Sequence, residues 1–241
     1  MKFWYYLLLI AFPLAGGILG YYTQFNRKSN LKVILAFAGA YLLSVVLFHL
    51  IPHLYEEISV MSGVLLLAGF FFQVFIERYS HGVEHGHLHL HEIKKKSLIP
   101  YEILISLSLH SFMEGMPLGS AFLEGDTGKL SFLFGIVLHE FPAAFALVSI
   151  LKASHVSVRR IPVFIVAYAC MSSAGALSSD LLQNIVDEKI FTYLMAFVVG
   201  TFLHIATTIL FENSEDHRFS LNKIVAILGG ILLAVLVSMG M

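Results

Sequence analysis

Residues 130–151, LSFLFGIVLHEFPAAFALVSIL, form an apolar run that is long enough to decide the fold. A bilayer core about 30 Å thick needs about 20 residues of helix, because an α-helix rises about 1.5 Å per residue. The run has 22 residues and only two ionisable side chains, His139 and Glu140. An apolar segment of this length predicts a helix that crosses a membrane.

Seven further apolar runs of similar length are separated from this one by charged and turn residues. The eight runs together predict an all-α membrane protein with eight transmembrane helices. No polar stretch between them is long enough for a separate soluble domain, so we expect one transmembrane domain over residues 1–241. The seven other runs are Phe3–Tyr22, Val33–Leu54, Ser59–Ile76, Tyr101–Leu123, Ile161–Leu181, Ile190–Phe211 and Leu221–Met239.

The composition agrees with a chain whose main solvent is the lipid bilayer. Hydrophobic residues make up 58% of the sequence and charged residues 13%, whereas soluble domains are roughly half apolar and one-quarter charged. The formal net charge of -1 provides no basic surface for nucleic acid. We therefore expect lipid as a partner and exclude nucleic acid, and the sequence leaves a monomer and a homodimer both open.

The distribution of positive charge predicts the orientation of the chain. Lysine and arginine are retained in short cytoplasmic loops, and twelve of the fifteen follow odd-numbered runs. This bias predicts that both termini lie outside. The twelve are Arg27, Lys28, Lys32, Arg78, Lys94, Lys95, Lys96, Lys152, Arg159, Arg160, Arg218 and Lys223.

A histidine-rich loop at residues 78–97 follows the third run, so we expect it on the cytoplasmic side. Neutral imidazoles bind zinc and similar metals, but the irregular spacing here defines no rigid site. A solvated linker without a metal role stays open as the alternative. The loop histidines are His81, His85, His87, His89 and His91.

The fourth and fifth runs contain ionisable residues at one depth. His110 and Glu114 are four residues apart, so they share a helix face. His110 and His139 each lie nine residues into their runs, near the expected midplane, and Glu140 follows His139. Such residues are costly in lipid and indicate a functional site. A buried structural network, in which His110 and Glu114 pair with each other or with His139, stays open as the alternative. Imidazole and carboxylate donors predict a metal site for zinc, iron or manganese.

Further polar residues predict a path that leads to and from this site. His49, His53 and Glu57 lie toward the expected outer end of the second run, where they would collect incoming ions. His204 and Glu212 lie toward the expected inner end of the seventh run, where they would form an exit. For the helix-end carboxylates, a simple interfacial role stays open.

Three motifs carry a resemblance to the ZIP family of zinc and iron transporters: HLIPH at 49–53, HSFMEG at 110–115 and HEFPAA at 139–144. The resemblance implies a ZIP-like bundle of eight helices that moves a divalent metal downhill toward the cytoplasm. It assigns His110, Glu114, His139 and Glu140 to the metal site. Ala143 stands where relatives carry a second metal ligand, which implies one main metal.

These observations predict a transporter and not an enzyme. We expect Zn²⁺ as cargo, with Fe²⁺, Mn²⁺ and Cd²⁺ left open, and no bound cofactor. An intramembrane zinc hydrolase is the main alternative, although Ala143 interrupts the His-Glu-x-x-His motif that begins at His139. A metal-sensing homologue without efficient transport is a further alternative. Short loops predict a multi-pass protein of the cell membrane, most simply a bacterial inner membrane.

Overall fold

The structure is a computed structural model that describes residues 2–23, 28–80, 99–120, 123, 125–154, 156–211 and 220–239. All regular secondary structure in these ranges is helical, and no strand occurs within them, which confirms the all-α prediction. The helices are α1 (Phe3–Tyr22), α2 (Lys28–Val45), α3 (Ile51–Ile58), α4 (Val60–Ser80), α5 (Ile99–Gly119), α6 (Gly125–Ala153), α7 (Ile161–Ala169), α8 (Met171–Leu182), α9 (Glu188–Phe211) and α10 (Leu221–Met239).

Six segments of the described chain are long and apolar enough to cross a membrane. The fourth predicted run corresponds to α5, in which Glu102, His110 and Glu114 lower the apolar content. The eighth corresponds to α10, whose apolar part spans Leu221–Val237. The six segments are Phe3–Tyr22, Val33–Ile58, Val60–Tyr79, Gly128–Ala153, Ile161–Leu182 and Glu188–Phe211.

The second predicted run is interrupted by a π-helical turn at Val46–Leu50 and is not one regular α-helix. The N–H of Ile51 donates to the carbonyl of Val46, five residues earlier. Pro52 follows directly and has no N–H to continue the α-helical bonding pattern. A π turn holds one more residue than an α turn and is frequent at functional sites. His49 lies within this turn.

The sixth predicted run is also divided, at Cys170, between α7 and α8. Cys170 keeps the helical bonds on both sides, because its N–H donates to the carbonyl of Val166 and its own carbonyl accepts from Ala174. The two short helices therefore follow one another closely. Ser172 lies in the first turn of α8 as a result.

Glycines permit several of the helix pairs to pack backbone against backbone. A Cβ atom on Gly115 of α5 would overlap the carbonyl of Ser172 on α8, and one on Gly175 of α8 would overlap the carbonyl of Phe112 on α5. Gly200 of α9 contacts the backbone of α4 in the same manner. Helices in membranes associate through such small residues because lipid provides no hydrophobic driving force between them. Extensive contacts also join α1 to α6 and α2 to α10.

Two lysines bind the carbonyl ends of neighbouring helices. Lys152, at the end of α6, donates to the carbonyls of Gly20 and Tyr21 at the end of α1, at 3.2 and 3.0 Å. Lys223, in the first turn of α10, donates to the carbonyl of Leu210 at the end of α9, at 3.0 Å. Cations are favourable there because a helix C-terminus has partial negative charge and unpaired carbonyls.

The largest apolar core lies between α1, α2, α5, α6 and α9. Tyr41 and Leu50 contribute to it from α2 and the π turn, and Met113 contributes from α5. Phe132 of α6 meets Phe202 of α9 edge to face, with ring centroids 5.1 Å apart. This packing fixes α5 and α6 relative to each other, and these two helices hold the polar residues described next.

Candidate metal centre

His110 and Glu114 lie one turn apart on α5 and face the same way. The Nε2 atom of His110 is 3.3 Å from Oε1 of Glu114, and each side chain is at most 2% exposed. This is the pairing expected at a spacing of four residues in an α-helix. The helix itself therefore brings an imidazole and a carboxylate together inside the protein.

His139 on α6 completes a group of three donors. Its Nε2 atom is 3.4 Å from Nε2 of His110 and 3.9 Å from Oε1 of Glu114. The two imidazole rings meet edge to face at 86°. Among the described residues, these three provide the one group of at least three donor atoms that all lie within 4.8 Å of one another.

The three donor atoms are spaced for a small divalent cation. A circle through points 3.3, 3.4 and 3.9 Å apart has a radius of about 2.1 Å, and zinc binds nitrogen and oxygen at about 2.0–2.2 Å. One ion can therefore contact His110, Glu114 and His139 at once without movement of the side chains. A three-donor arrangement leaves a coordination position open.

Glu114 is poorly satisfied by the protein alone. Neither of its carboxylate oxygens has a hydrogen-bond donor of good geometry among the described residues, and both are buried. A buried carboxylate whose neighbours are poorly placed to donate costs roughly several kcal/mol in a low-dielectric interior. A cation between Glu114 and the two imidazoles would remove that cost, so the chemistry of the donor set fits a metal ion.

Glu140 is held beside this group by hydroxyls. Its Oε1 accepts a hydrogen bond of 2.6 Å from Ser172, and the hydroxyls of Ser172 and Ser111 are 2.8 Å apart. Glu140 is buried, and its carboxylate is close enough to that of Glu114 for the two to interact. Of the four predicted metal residues, the structure thus brings His110, Glu114 and His139 together. The fourth, Glu140, lies beside them and is hydrogen-bonded to Ser172.

The predicted outer residues are not members of the group of three donors. His49 is in the π turn and His53 in α3, and both are partly buried, whereas Glu57 is exposed near the end of α3. In a regular α-helix, His49 and His53 would share a face because they are four residues apart. The π turn ends between them at Leu50 and changes that spacing. In the described part of the chain, these residues do not form a close metal-binding group.

His204 has a partner that the sequence did not point to. Its Nε2 atom is 2.5 Å from Oε2 of Glu77 on α4. Phe70, two turns earlier on α4, meets the His204 ring edge to face, and Thr208 lies 3.4 Å from Nε2. Glu77 lies one residue beyond the predicted end of the third run, at Ile76. A carboxylate next to Arg78 resembles an ordinary interfacial residue, so only the fold reveals this pairing.

Six predicted residues lie outside the described part of the chain. They are His81, His85, His87, His89 and His91 of the histidine-rich loop, and Glu212 after α9.

Comparison with known proteins identifies the family of this chain. A family model described as "ZIP Zinc transporter" matches residues 84–238, which is more than half of the 241 residues. Zinc transporter ZIP9 of Micropogonias undulatus is 27% identical over 165 residues, 64% of this chain and 52% of that protein. Zinc transporter ZIP10 of Homo sapiens is 26% identical over 147 residues, 58% of this chain and 17% of that protein. Protein zntD of Dictyostelium discoideum is 26% identical over 148 residues, 56% of this chain and 21% of that protein.

The chain therefore spans about half the length of the ZIP9 relative and less of the other two. The match to the family model includes α5 and α6 and so covers the three donor residues. The family match agrees with the resemblance to ZIP transporters that the motifs HSFMEG and HEFPAA suggest. On these grounds, the chain belongs to the ZIP zinc transporter family.

Proposed function

We propose that this chain moves a divalent metal ion, zinc first, across a membrane through a site formed by His110, Glu114 and His139. The spacing of the three donor atoms carries the proposal, since one point lies about 2.1 Å from all of them, a bonding distance for zinc. The names of the relatives, zinc transporters among them, support the same cargo. The same donors also accept Fe²⁺, Mn²⁺ and Cd²⁺.

The charges around the site favour a divalent ion. Glu114 and Glu140 are buried next to each other, and the two imidazoles are neutral when they act as ligands. The formal charges of two ionised carboxylates and one divalent cation add up to zero. Because isolated charge is costly in a low-dielectric interior, a neutral group is the least expensive way to hold an ion at this depth.

In the proposed architecture, residues 1–241 form one transmembrane domain with eight spans and both termini outside. The count treats α5 and α10 as spans beside the six apolar segments. The positive-charge bias supports the orientation, because twelve of fifteen lysines and arginines fall on one side of an eight-span chain. The bacterial inner membrane and a homodimer both stay predictions, and the three relatives named above come from eukaryotes.

The proposed path leads inward from His49, His53 and Glu57 to the three donors and then to His204. Glu77 joins His204 on this path because their side chains are in contact and both are largely buried. Glu212 and the loop histidines would receive the ion at the cytoplasmic end. The proposed direction of movement along this path is toward the cytoplasm.

The exit step can be tested at Glu77. We expect Glu77→Gln to lower zinc flux about tenfold, because the uncharged amide removes the carboxylate that orients His204 or shares the ion with it. The measurement is initial zinc flux in proteoliposomes at matched protein content. Glu188→Gln, an exposed change at the start of α9, is the control and should keep wild-type flux. Equal flux in both variants would remove His204 and Glu77 from the path.

An intramembrane hydrolase is less well supported by the same residues. Ala143, buried beside the site, occupies the position of the second histidine in the His-Glu-x-x-His motif. Glu140, which would serve as general base there, accepts a hydrogen bond from Ser172. We therefore assign transport and not hydrolysis.

The proposed function is tested by metal flux into proteoliposomes that contain a zinc-sensitive dye. We expect zinc to enter protein-containing liposomes faster than protein-free ones. Competing Fe²⁺, Mn²⁺ or Cd²⁺ should slow zinc entry, and the ion that is carried best should slow it most. Stoichiometric zinc binding without flux of any divalent metal would contradict transport. That result would instead favour a metal-sensing homologue.

A further inference from the structure

A chain of hydrogen bonds runs beside the three donors through three helices. Ser111 on α5, Ser172 on α8 and Glu140 on α6 are each at most 1% exposed. Ser172 donates to the Glu140 carboxylate at 2.6 Å. The hydroxyls of Ser111 and Ser172 are 2.8 Å apart, and either can donate to the other. Ser111 and Tyr168 also interact with the Glu140 carboxylate, so hydroxyls of three residues meet there.

The close packing of α5 and α8 brings Ser172 within hydrogen-bonding distance of Ser111. The backbone of Ser172 lies directly against Gly115, and Gly175 lies against the backbone of Phe112. The short side chain of Ser172 can therefore bridge to Ser111 on one side and to Glu140 on the other. Ser111 and Glu140 directly follow His110 and His139 in sequence. Two of the hydrogen-bonded residues therefore lie in the same helical turns as two of the three donors.

We propose that Ser172, together with Ser111, is a positioning residue that keeps the Glu140 carboxylate, which lies outside the group of three donors, from becoming a ligand of the bound divalent cation. The inference rests on the proposed function, because the cation is the cargo. Glu140 lies close to Glu114, and a glutamate has three rotatable side-chain bonds. Without the Ser172 bond, its carboxylate could turn toward the ion and become a fourth protein ligand.

The number of protein ligands matters for a transporter. Zinc sites closed by four protein ligands are structural, whereas sites with three protein ligands keep an exchangeable position. With Glu140 held by Ser172, the ion has three protein ligands and can exchange its remaining one as it arrives and leaves. A fourth protein ligand would bind zinc more tightly and release it more slowly.

The test is Ser172→Ala in the full chain, with zinc affinity measured by competition with a chelating indicator. We expect the affinity to rise about tenfold and zinc flux in proteoliposomes to fall about tenfold. X-ray absorption at the zinc edge should change in step, because a protein carboxylate replaces an exchangeable ligand. A purely structural role of the hydroxyl predicts the opposite sign, since loss of an outer hydrogen bond at a metal site usually weakens binding.

Two further variants control the result. In a Glu140→Gln background, Ser172→Ala should change neither affinity nor spectrum, because the amide is a poor substitute for an anionic ligand. Ser44→Ala removes a buried hydroxyl that bonds only within its own helix in the structure, and it should change neither. If Ser172→Ala does not fold, Ser111→Ala should raise zinc affinity in the same direction by a smaller factor.

The outcomes separate this inference from the proposed function. Wild-type protein that binds no zinc would overturn the proposed function. Zinc-binding wild type with unchanged or weaker binding in Ser172→Ala would overturn only the role of Ser172. Failure of Glu140→Gln to abolish the Ser172→Ala effect would likewise overturn it, because the gain in affinity would then not come from Glu140.

Discussion

Glutamine in place of Glu114 is expected to reduce zinc flux at least about a hundredfold while the protein remains folded. The amide has the same shape as the carboxylate but no charge. Loss of one charged partner from a buried ionic group costs about 3–5 kcal/mol, and each 1.4 kcal/mol is about a tenfold change in binding. Since both oxygens of Glu114 lack other donors of good geometry among the described residues, the apo protein should tolerate the change well.

The measurement is zinc influx in dye-loaded proteoliposomes, with zinc affinity determined in detergent on the same preparations. Glu102→Gln makes the same chemical change at an exposed position in the first turn of the same helix and should keep wild-type flux. Wild-type flux in Glu114→Gln would contradict the assignment of the path to the three donors. Loss of flux in both variants would point to α5 as a whole and not to the Glu114 carboxylate.

The second large effect is expected from Gly115→Ala. A Cβ atom at this position would overlap the Ser172 carbonyl and lie 3.0 Å from the backbone nitrogen of Ala176, so α5 and α8 would have to separate. Overpacking of this kind costs roughly 1–3 kcal/mol of stability. Because α5 also holds His110 and Glu114, we expect zinc affinity to fall about tenfold. Thermal unfolding and zinc titration in detergent measure the two effects.

Gly128→Ala is the matched control for this substitution. Gly128 lies in α6, and no atom of the described residues lies within 4 Å of a Cβ atom built there. Alanine is favoured over glycine in a helix by about 1 kcal/mol, so this variant should be as stable as the wild type or more stable. Unchanged stability and zinc binding in Gly115→Ala would show that the two helices can separate without consequence for the site.

Helical periodicity alone predicts the part of the site that lies on one helix. His110 and Glu114 need only a spacing of four residues to meet, and the structure places their donor atoms 3.3 Å apart. Counting nine residues into each run also put His110 and His139 at one level. Their nitrogens are 3.4 Å apart, because α5 and α6 are neighbours as well as equal in depth.

Contacts between distant helices are the part that periodicity does not predict. Nothing in the sequence around Glu77 indicates His204 as its partner, 127 residues away. The bond from Ser172 to Glu140 likewise depends on the close packing of α5 and α8. The π turn was missed for a different reason, since a span of apolar residues has the same hydropathy whether its backbone is α- or π-helical.

The π turn at Val46–Leu50 makes the second span sensitive to its length as well as its composition. An α-helix rotates about 100° per residue, so deletion of one residue from this turn would restore α-helical bonding and turn α3 by about that angle relative to α2. The side of α3 that contacts α4 and α9 would then face elsewhere. Single-residue deletions here should therefore disrupt the packing of α3 far more than apolar substitutions do, although both kinds of change leave the span equally apolar.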